Sequence, residues 1–325
     1  MKPIEFRQAI RLAIQEEMER DPSVILLGED VGFAGGVFGV TRGLFDLFGP
    51  TRVLDTPISE MALSGVAFGA AICGTRPIIE IMFGDFMMLA MDSLVNQSAK
   101  YWFLSDGQSS VPLVVRSAVG AGGRFGPIHS QIPATWLMSV PGIKIVAPST
   151  ANDARALLRV SIRDDNPVVF LEHKRLYATK GPLEDDLLPI GKARIIRHGG
   201  DVTIVSAMKG VHDALAAAER LQAKSIAAEV VDLRTIRPMD IDTVLQSAMR
   251  TRNLVVVEEG PRTGGWAAEV LAAVWEQAGG QVKVAWRITS PDIPLPYSPH
   301  LEDGVLPSVA RIETEILHRL GEKVG

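Results

Sequence analysis

Residues Val53–Phe83 read VLDTPISEMALSGVAFGAAICGTRPIIEIMF. Val53-Leu54 is a short apolar run that breaks at Asp55-Thr56-Pro57. Ser59 is placed to cap the next helix, and Glu60 opens its small-residue pattern, which reaches about Cys73. Pro77–Phe83 is again strand-like. Strand, helix and strand in this order make a βαβ unit. Its strands are apolar without alternation, so the sheet is parallel and covered on both faces.

The same alternation continues on either side. Upstream, Phe6, Ile10, Ile14 and Met18 fall on one face of an amphipathic helix, and Val24–Leu27 forms a strand ending in Gly28-Glu29-Asp30. Downstream, a helix is expected from Phe86 to about Tyr101, with strands at Val111–Arg116, Ile143–Ala147 and Val168–Glu172. Ser149-Thr150 caps a helix running to about Arg163. Lys180–Pro189 is polar and proline-bounded, as a linker would be. Beyond it come strands at Val202–Val205, Ala228–Asp232, Leu254–Glu258 and Val282–Ile288, with helices at Val211–Leu221, at Ile241–Met249 and from Gly264-Gly265 to about Gln277. Pro291–Pro296 is expected to be extended. The pattern gives an α/β fold of two parallel-sheet domains, residues 1–185 and 186–325.

Composition limits the function classes. The chain has 325 residues, 47% of them hydrophobic and 22% charged, enough for two folded cores. A formal net charge of −5 gives no footprint for nucleic acid or an anionic membrane. The apolar run Met61–Thr75 is too short to span a bilayer. No signal-peptide core stands at the N-terminus, and one cysteine, Cys73, permits neither an internal disulfide nor a thiolate zinc cluster. The expected compartment is reducing and cytoplasmic.

In parallel sheets ligands bind beyond the carboxyl ends of the strands. Glu29-Asp30, Ser59-Glu60 and the loop from Gly120 to Gln131 all fall there. The glycine loop is not a dinucleotide fingerprint, because its third glycine comes one position late and Pro127 is next. A P-loop and a G-x-S-x-G elbow are absent from the sequence. No histidines pair at H-x-x-x-H spacing, so a histidine metal site is disfavoured. A lone histidine is usually structural, and that reading is kept for every histidine but His129, which sits in the glycine loop at the ligand edge beside Ser130 and Gln131. A carboxylate in a first helical turn usually complements the dipole. Glu60, however, opens a helix so rich in small residues that it must pack closely, and a buried acid needs a partner.

The ordered set Gly28-Glu29-Asp30-Val31, Asp55–Glu60, Phe83-Gly84-Asp85-Phe86, Gln97–Lys100, His129-Ser130-Gln131, Pro141-Gly142, Asn166-Pro167, Arg234–Pro238 and Gly264-Gly265 resembles the β subunit of thiamine-diphosphate-dependent 2-oxo acid dehydrogenases. These are the E1 components of the pyruvate, acetoin and branched-chain complexes, and the likeness spans essentially the whole chain. It implies a pyrimidine-binding domain followed by a transketolase C-terminal-like domain. On matching positions, Glu60 would hydrogen-bond N1′ of the cofactor's aminopyrimidine and favour the tautomer that removes the thiazolium proton. Phe86 would pack on the pyrimidine, His129 would assist the intermediate or acyl transfer to a lipoyl group, and Glu29 would relay protons. The family's monovalent cation, usually potassium, maps to Leu113, Ser161, Ile162, Asp164 and Asn166; without it, Asp164 and Asn166 form a turn before Pro167.

The family's diphosphate signature runs from Gly-Asp-Gly to Asn-Asn, and this chain offers only Ser105-Asp106-Gly107 with no Asn-Asn downstream. The resemblance therefore implies that Mg2+ and the diphosphate sit on a separate E1 α subunit in an α2β2 heterotetramer. The C-terminal domain would dock the E2 lipoyl acyltransferase, with Asp292, Glu302 and Asp303 among the acids that could face it. Leu171–Lys174 is closer to the acetoin and branched-chain types, and Ile128 stands where several pyruvate and acetoin members carry glutamine. Two alternatives stay open: the C-terminal half of a split transketolase-like enzyme acting on sugar phosphates, and a non-catalytic scaffold subunit.

Overall fold

The computed structural model describes residues 3–184 and 187–321. The expected domain junction at 185/186 lies outside the described residues. The chain forms two compact units, Met1–Gly120 with His129–Ile190, and Ala121–Ile128 with Gly191–Gly325.

In the first unit, parallel strands lie in the order Lys144–Val146, Val168–His173, Val114–Val119, Arg76–Phe83, Val24–Gly28, Val53–Asp55. Every residue of Val114–Val119 and Val168–His173 is buried, as covered central strands require. The helices Phe6–Arg20 and Ala151–Arg163 pack together and are tied by Arg163 Nη2 to Glu17 at 2.7 Å and Arg155 Nη2 to Glu16 at 2.8 Å. Thr150 caps the second of these by accepting from the Asp153 N–H. Because the strands are parallel, their carboxyl ends bring Glu29, Asp55, Gly84 and Lys174 to one edge of the sheet.

Some local expectations change. Ser59 stands at the N-cap of Glu60–Ile72, but its side chain makes no cap hydrogen bond. The stretch from Phe86 to Tyr101 is no single helix. A 3-10 turn at Gly84–Ala90 leads to a π-helical segment at Asp92–Ser98, then a short α-helix at Tyr101–Leu104. Such irregular turns gather at functional sites. Lys180-Gly181, expected to start a linker, pairs antiparallel with Ile4-Glu5.

The second unit has a five-stranded sheet in the order Val284–Ser290, Asn253–Pro261, Val202–Ser206, Ala228–Asp232, Arg194–Arg197. It is parallel except for the Arg194–Arg197 edge, which the sequence pattern does not reveal. Val202, Ile204, Val230 and Val255 meet Ala214, Ala218 and Leu221 of the helix Lys209–Gln222 and Ile312 and Ile316 of Val309–Leu320. Among the described residues no helix is long and apolar enough to cross a membrane.

Candidate active site

Two acids meet at the edge of the first unit. Glu29 directly succeeds the strand Val24–Gly28, where a Cβ on Gly28 would lie 2.8 Å from Val31 Cγ1 and 3.0 Å from the Glu80 carbonyl. The next turn is pinned by Asp55, whose carboxylate accepts from the Gly32 N–H at 2.6 Å and the Phe33 N–H at 3.3 Å. Glu60 begins the helix Glu60–Ile72, where the peptide dipoles favour an anion. Both acids are buried, Glu60 to 6% exposure and Glu29 to 9%. Burial pushes the Glu29 carboxyl above the usual range, and the neighbouring charges of Glu60 and Asp30 push it further. Neither carboxylate accepts a hydrogen bond among the described residues. A mostly buried carboxylate in that state is open to a donor from outside the chain.

An aromatic group lies at the same edge. The His129 ring meets Phe83 edge-on at 4.6 Å and Phe86 edge-on at 5.4 Å, and Phe83 and Phe86 are themselves perpendicular at 6.1 Å. Lys174 Nζ donates to the His129 carbonyl and lies 5.2 Å above the Phe83 ring. Asp85 accepts from Gln131. In the sequence, Asp85 and Lys174 carry no functional signature of their own. Their signal is position alone, since each is the polar residue just past the carboxyl end of a strand.

Beneath the edge, three strands share one buried charge cluster. Arg116 Nε and Nη2 donate to Glu172 at 2.7 and 3.0 Å, Arg116 Nη1 donates to Glu80 at 2.8 Å, and the Tyr177 hydroxyl donates to Glu172 at 2.9 Å. Burial raises the Glu172 carboxyl, with the Arg116 charge opposing it.

The expected potassium ligands are already engaged. The carbonyls of Ile162 and Asp164 each accept from Arg76 Nη1 at 3.1 Å, the Leu113 carbonyl accepts from Val168, and the Ser161 carbonyl from Asp164. The Asp164 carboxylate accepts from Lys144 and from the N–H and side-chain amide of Asn166. The Arg76 guanidinium stands among these oxygens, and the Asp164–Asn166 pair forms the turn before Pro167.

In the second unit, the glycine loop is fastened rather than free. Glu302, fully buried, accepts from the Gly122 N–H at 2.9 Å and from Arg124, and Asp303 accepts from both Arg124 amino groups at 2.9 Å. Glu302 is thus no surface acid available to a partner, and Asp292 is bonded to Thr263 at 2.7 and 2.8 Å.

Residues 2–180 match the transketolase pyrimidine-binding domain, and residues 191–312 match the transketolase C-terminal domain. The chain is 46% identical over 324 residues to the β subunit of acetoin:2,6-dichlorophenolindophenol oxidoreductase from Cupriavidus necator, covering 96% of each chain. It is 44% identical over 318 residues to the mitochondrial pyruvate dehydrogenase E1 component subunit beta-1 of Arabidopsis thaliana, covering 96% of this chain and 88% of that one. With the 2-oxoisovalerate dehydrogenase β subunit of Bacillus subtilis it shares 43% over 321 residues, 96% and 97% of the two chains.

The chain belongs to the E1 β-subunit family of 2-oxo acid dehydrogenases.

The family is thiamine-diphosphate-dependent, and this E1 β chain keeps its two-domain order. A solved split-gene transketolase, an inactive β4 tetramer, superposes with a TM-score of 0.82 over 99% of each chain. At 22% identity that likeness concerns the fold of the E1 β chain and not its chemistry.

Proposed function

We propose that this E1 β chain carries the pyrimidine half of an active site completed by an α subunit in an α2β2 assembly. The reaction is oxidative decarboxylation of a small 2-oxo acid of pyruvate or branched-chain type, or the corresponding cleavage of acetoin, followed by acylation of a lipoyl group on an E2 acyltransferase. One observation carries this reading: Glu60 is a buried carboxylate at a helix start, beside a second acid, with no partner among the described residues.

Thiamine diphosphate, when bound, supplies the carbon nucleophile that attacks the keto carbon and the electron sink once CO2 leaves. Glu60 offers the acceptor for a ring N–H at N1′ from the first turn of its helix. Glu29, raised by burial and by Glu60, holds a proton more readily than an exposed acid and so suits proton relay. Phe86 supplies an apolar face for a ring. In this reading His129 donates to, or takes a proton from, an oxygen of the reacting acid. Across the two steps the 2-oxo acid loses two electrons to the lipoyl disulfide, and the products are CO2, an acyl thioester and a free thiol. Mg2+ and the diphosphate belong to the α subunit in this reading, and no step passes through potassium.

An exposed apolar surface supports a partner. Met61 and Val66 of the helix Glu60–Ile72 are exposed, as are Met88 and Leu89 in the adjoining turn and Trp102, Phe103 and Leu104 beyond it. Surface of this kind marks an interaction site.

Calorimetric titration of thiamine diphosphate with Mg2+ tests the reading. Tight binding is expected only when the chain is mixed with its α subunit, and Glu60→Gln is expected to abolish turnover of the mixture on every 2-oxo acid tried. Normal turnover of that variant would remove Glu60 from the chemistry.

A further inference from the structure

The segment holding His129 is gripped from two sides, and one grip ends on an acid that the reaction does not itself require. Asp85 Oδ1 accepts from the Gln131 main-chain N–H at 3.2 Å and from Gln131 Nε2 at 2.8 Å. One oxygen therefore closes a ring with both the backbone and the side chain of Gln131. Asp85 is 7% exposed, so water competes little for these bonds. Its other oxygen, Oδ2, has no hydrogen-bond partner among the described residues.

Asp85 lies in the Gly84–Ala90 turn, which also carries Phe86. That turn is pressed against the same segment, since a Cβ on Gly84 would sit 2.9 Å from Pro133 Cδ and 2.7 Å from Val119 Cγ1. On the far side, Lys174 Nζ donates to the His129 carbonyl. The imidazole itself touches the edges of Phe83 and Phe86. Edge contacts limit where the ring lies but supply no hydrogen bond to set its direction, so the direction is inherited from the main chain.

We propose that Asp85 is a positioning residue: by binding Gln131 it fixes the His129–Gln131 segment to the turn bearing Phe86, and so sets the His129 imidazole for catalysis. The inference rests on the catalytic reading of His129 given above. Both bonds use Oδ1, so an asparagine can reproduce them, whereas alanine removes both. The carboxylate's charge has no part in the role.

The test uses the assembled α2β2 enzyme with thiamine diphosphate and Mg2+ and follows 2-oxo acid decarboxylation with a reducible dye. Asp85→Ala is expected to lower kcat by on the order of 10- to 100-fold, the cost of a small misplacement of a reacting group. KM and cofactor affinity should stay close to those of the parent, and Asp85→Asn should restore most of the rate. Gln131→Ala, which keeps the main-chain bond, should fall between Asp85→Ala and the parent. An unchanged kcat in Asp85→Ala overturns the proposal, and so does an Asp85→Asn enzyme as slow as the alanine variant. If Asp85→Ala fails to assemble, Gln131→Ala decides alone, and a parental kcat there overturns the proposal. His129→Ala separates the two readings. Full turnover in that variant removes the catalytic role of His129, whereas a dead His129→Ala beside a fully active Asp85→Ala removes only the positioning role of Asp85.

Discussion

Glu29 and Glu60 come from different strand–helix junctions, yet the charge on Glu60 raises the pKa of Glu29. Two like charges held together in a half-dry edge are an unfavourable arrangement that a bound ligand relieves. Glu29's folded pKa lies above its unfolded value, so its contribution to stability is complete below the ordinary carboxylate range and is lost as pH rises through the raised pKa.

Glu60→Gln should therefore stabilise the isolated chain near neutral pH while abolishing activity. Thermal melts at pH 5 and pH 8 check this, with the gain expected at the higher pH. A lower melting temperature for the variant at pH 8 would show that Glu60 is held by contacts stronger than its repulsion of Glu29.

Glu258 provides a second pH effect, in the other unit. Burial pushes its carboxyl up to about 7, although the N–H groups of Trp266 and Ala267 at the start of the helix Trp266–Ala278 act to lower it. The folded pKa is raised, so stability falls as pH rises from about 4.5 toward 7. The loss is on the order of 3 kcal/mol. Denaturant midpoints across that window should slope downward in the parent chain and flatten in Glu258→Gln.

Arg116 neutralises two buried acids at once. Arg116→Met would leave Glu80 and Glu172 unpaired inside the sheet, at a cost of roughly 3–5 kcal/mol. Arg116→Lys should recover little, because an ammonium cannot reproduce the two parallel bonds to Glu172. Urea unfolding of the purified variants measures both, and a shift under ~1 kcal/mol for the methionine variant would contradict the assignment.

The glycine loop offers a local test. Removing Arg124's bonds to Glu302 and Asp303 with Arg124→Ala should speed amide exchange at Ala121 and Gly122 while leaving the sheet core Val202–Ser206 unchanged. Gly126 has φ +72 and lies where a Cβ would meet the Tyr297 ring at 2.2 Å. Gly126→Ala should therefore perturb the loop more strongly than Arg124→Ala in the same exchange measurement.

The α/β class, most strand and helix positions, and the family are legible along the chain. Apolar runs such as Val24–Leu27 and Pro77–Phe83, and caps such as Thr150, act through neighbours a few residues away, so their pattern is readable along the chain. The ordered motifs from Gly28 to Gly265 are likewise local. Tertiary structure decided what depends on residues brought together from separate strands. That includes the Glu29–Glu60 repulsion, the Arg116 cluster, the bonds from Asp85 to Gln131 and the burial of Glu302 under the glycine loop. Even the occupation of the Ile162 and Asp164 carbonyls by Arg76 is a choice among competing partners. Hydrogen-bond and charge energies depend on distance and burial, which a linear pattern does not contain, whereas hydrophobic periodicity records which face of an element must leave water.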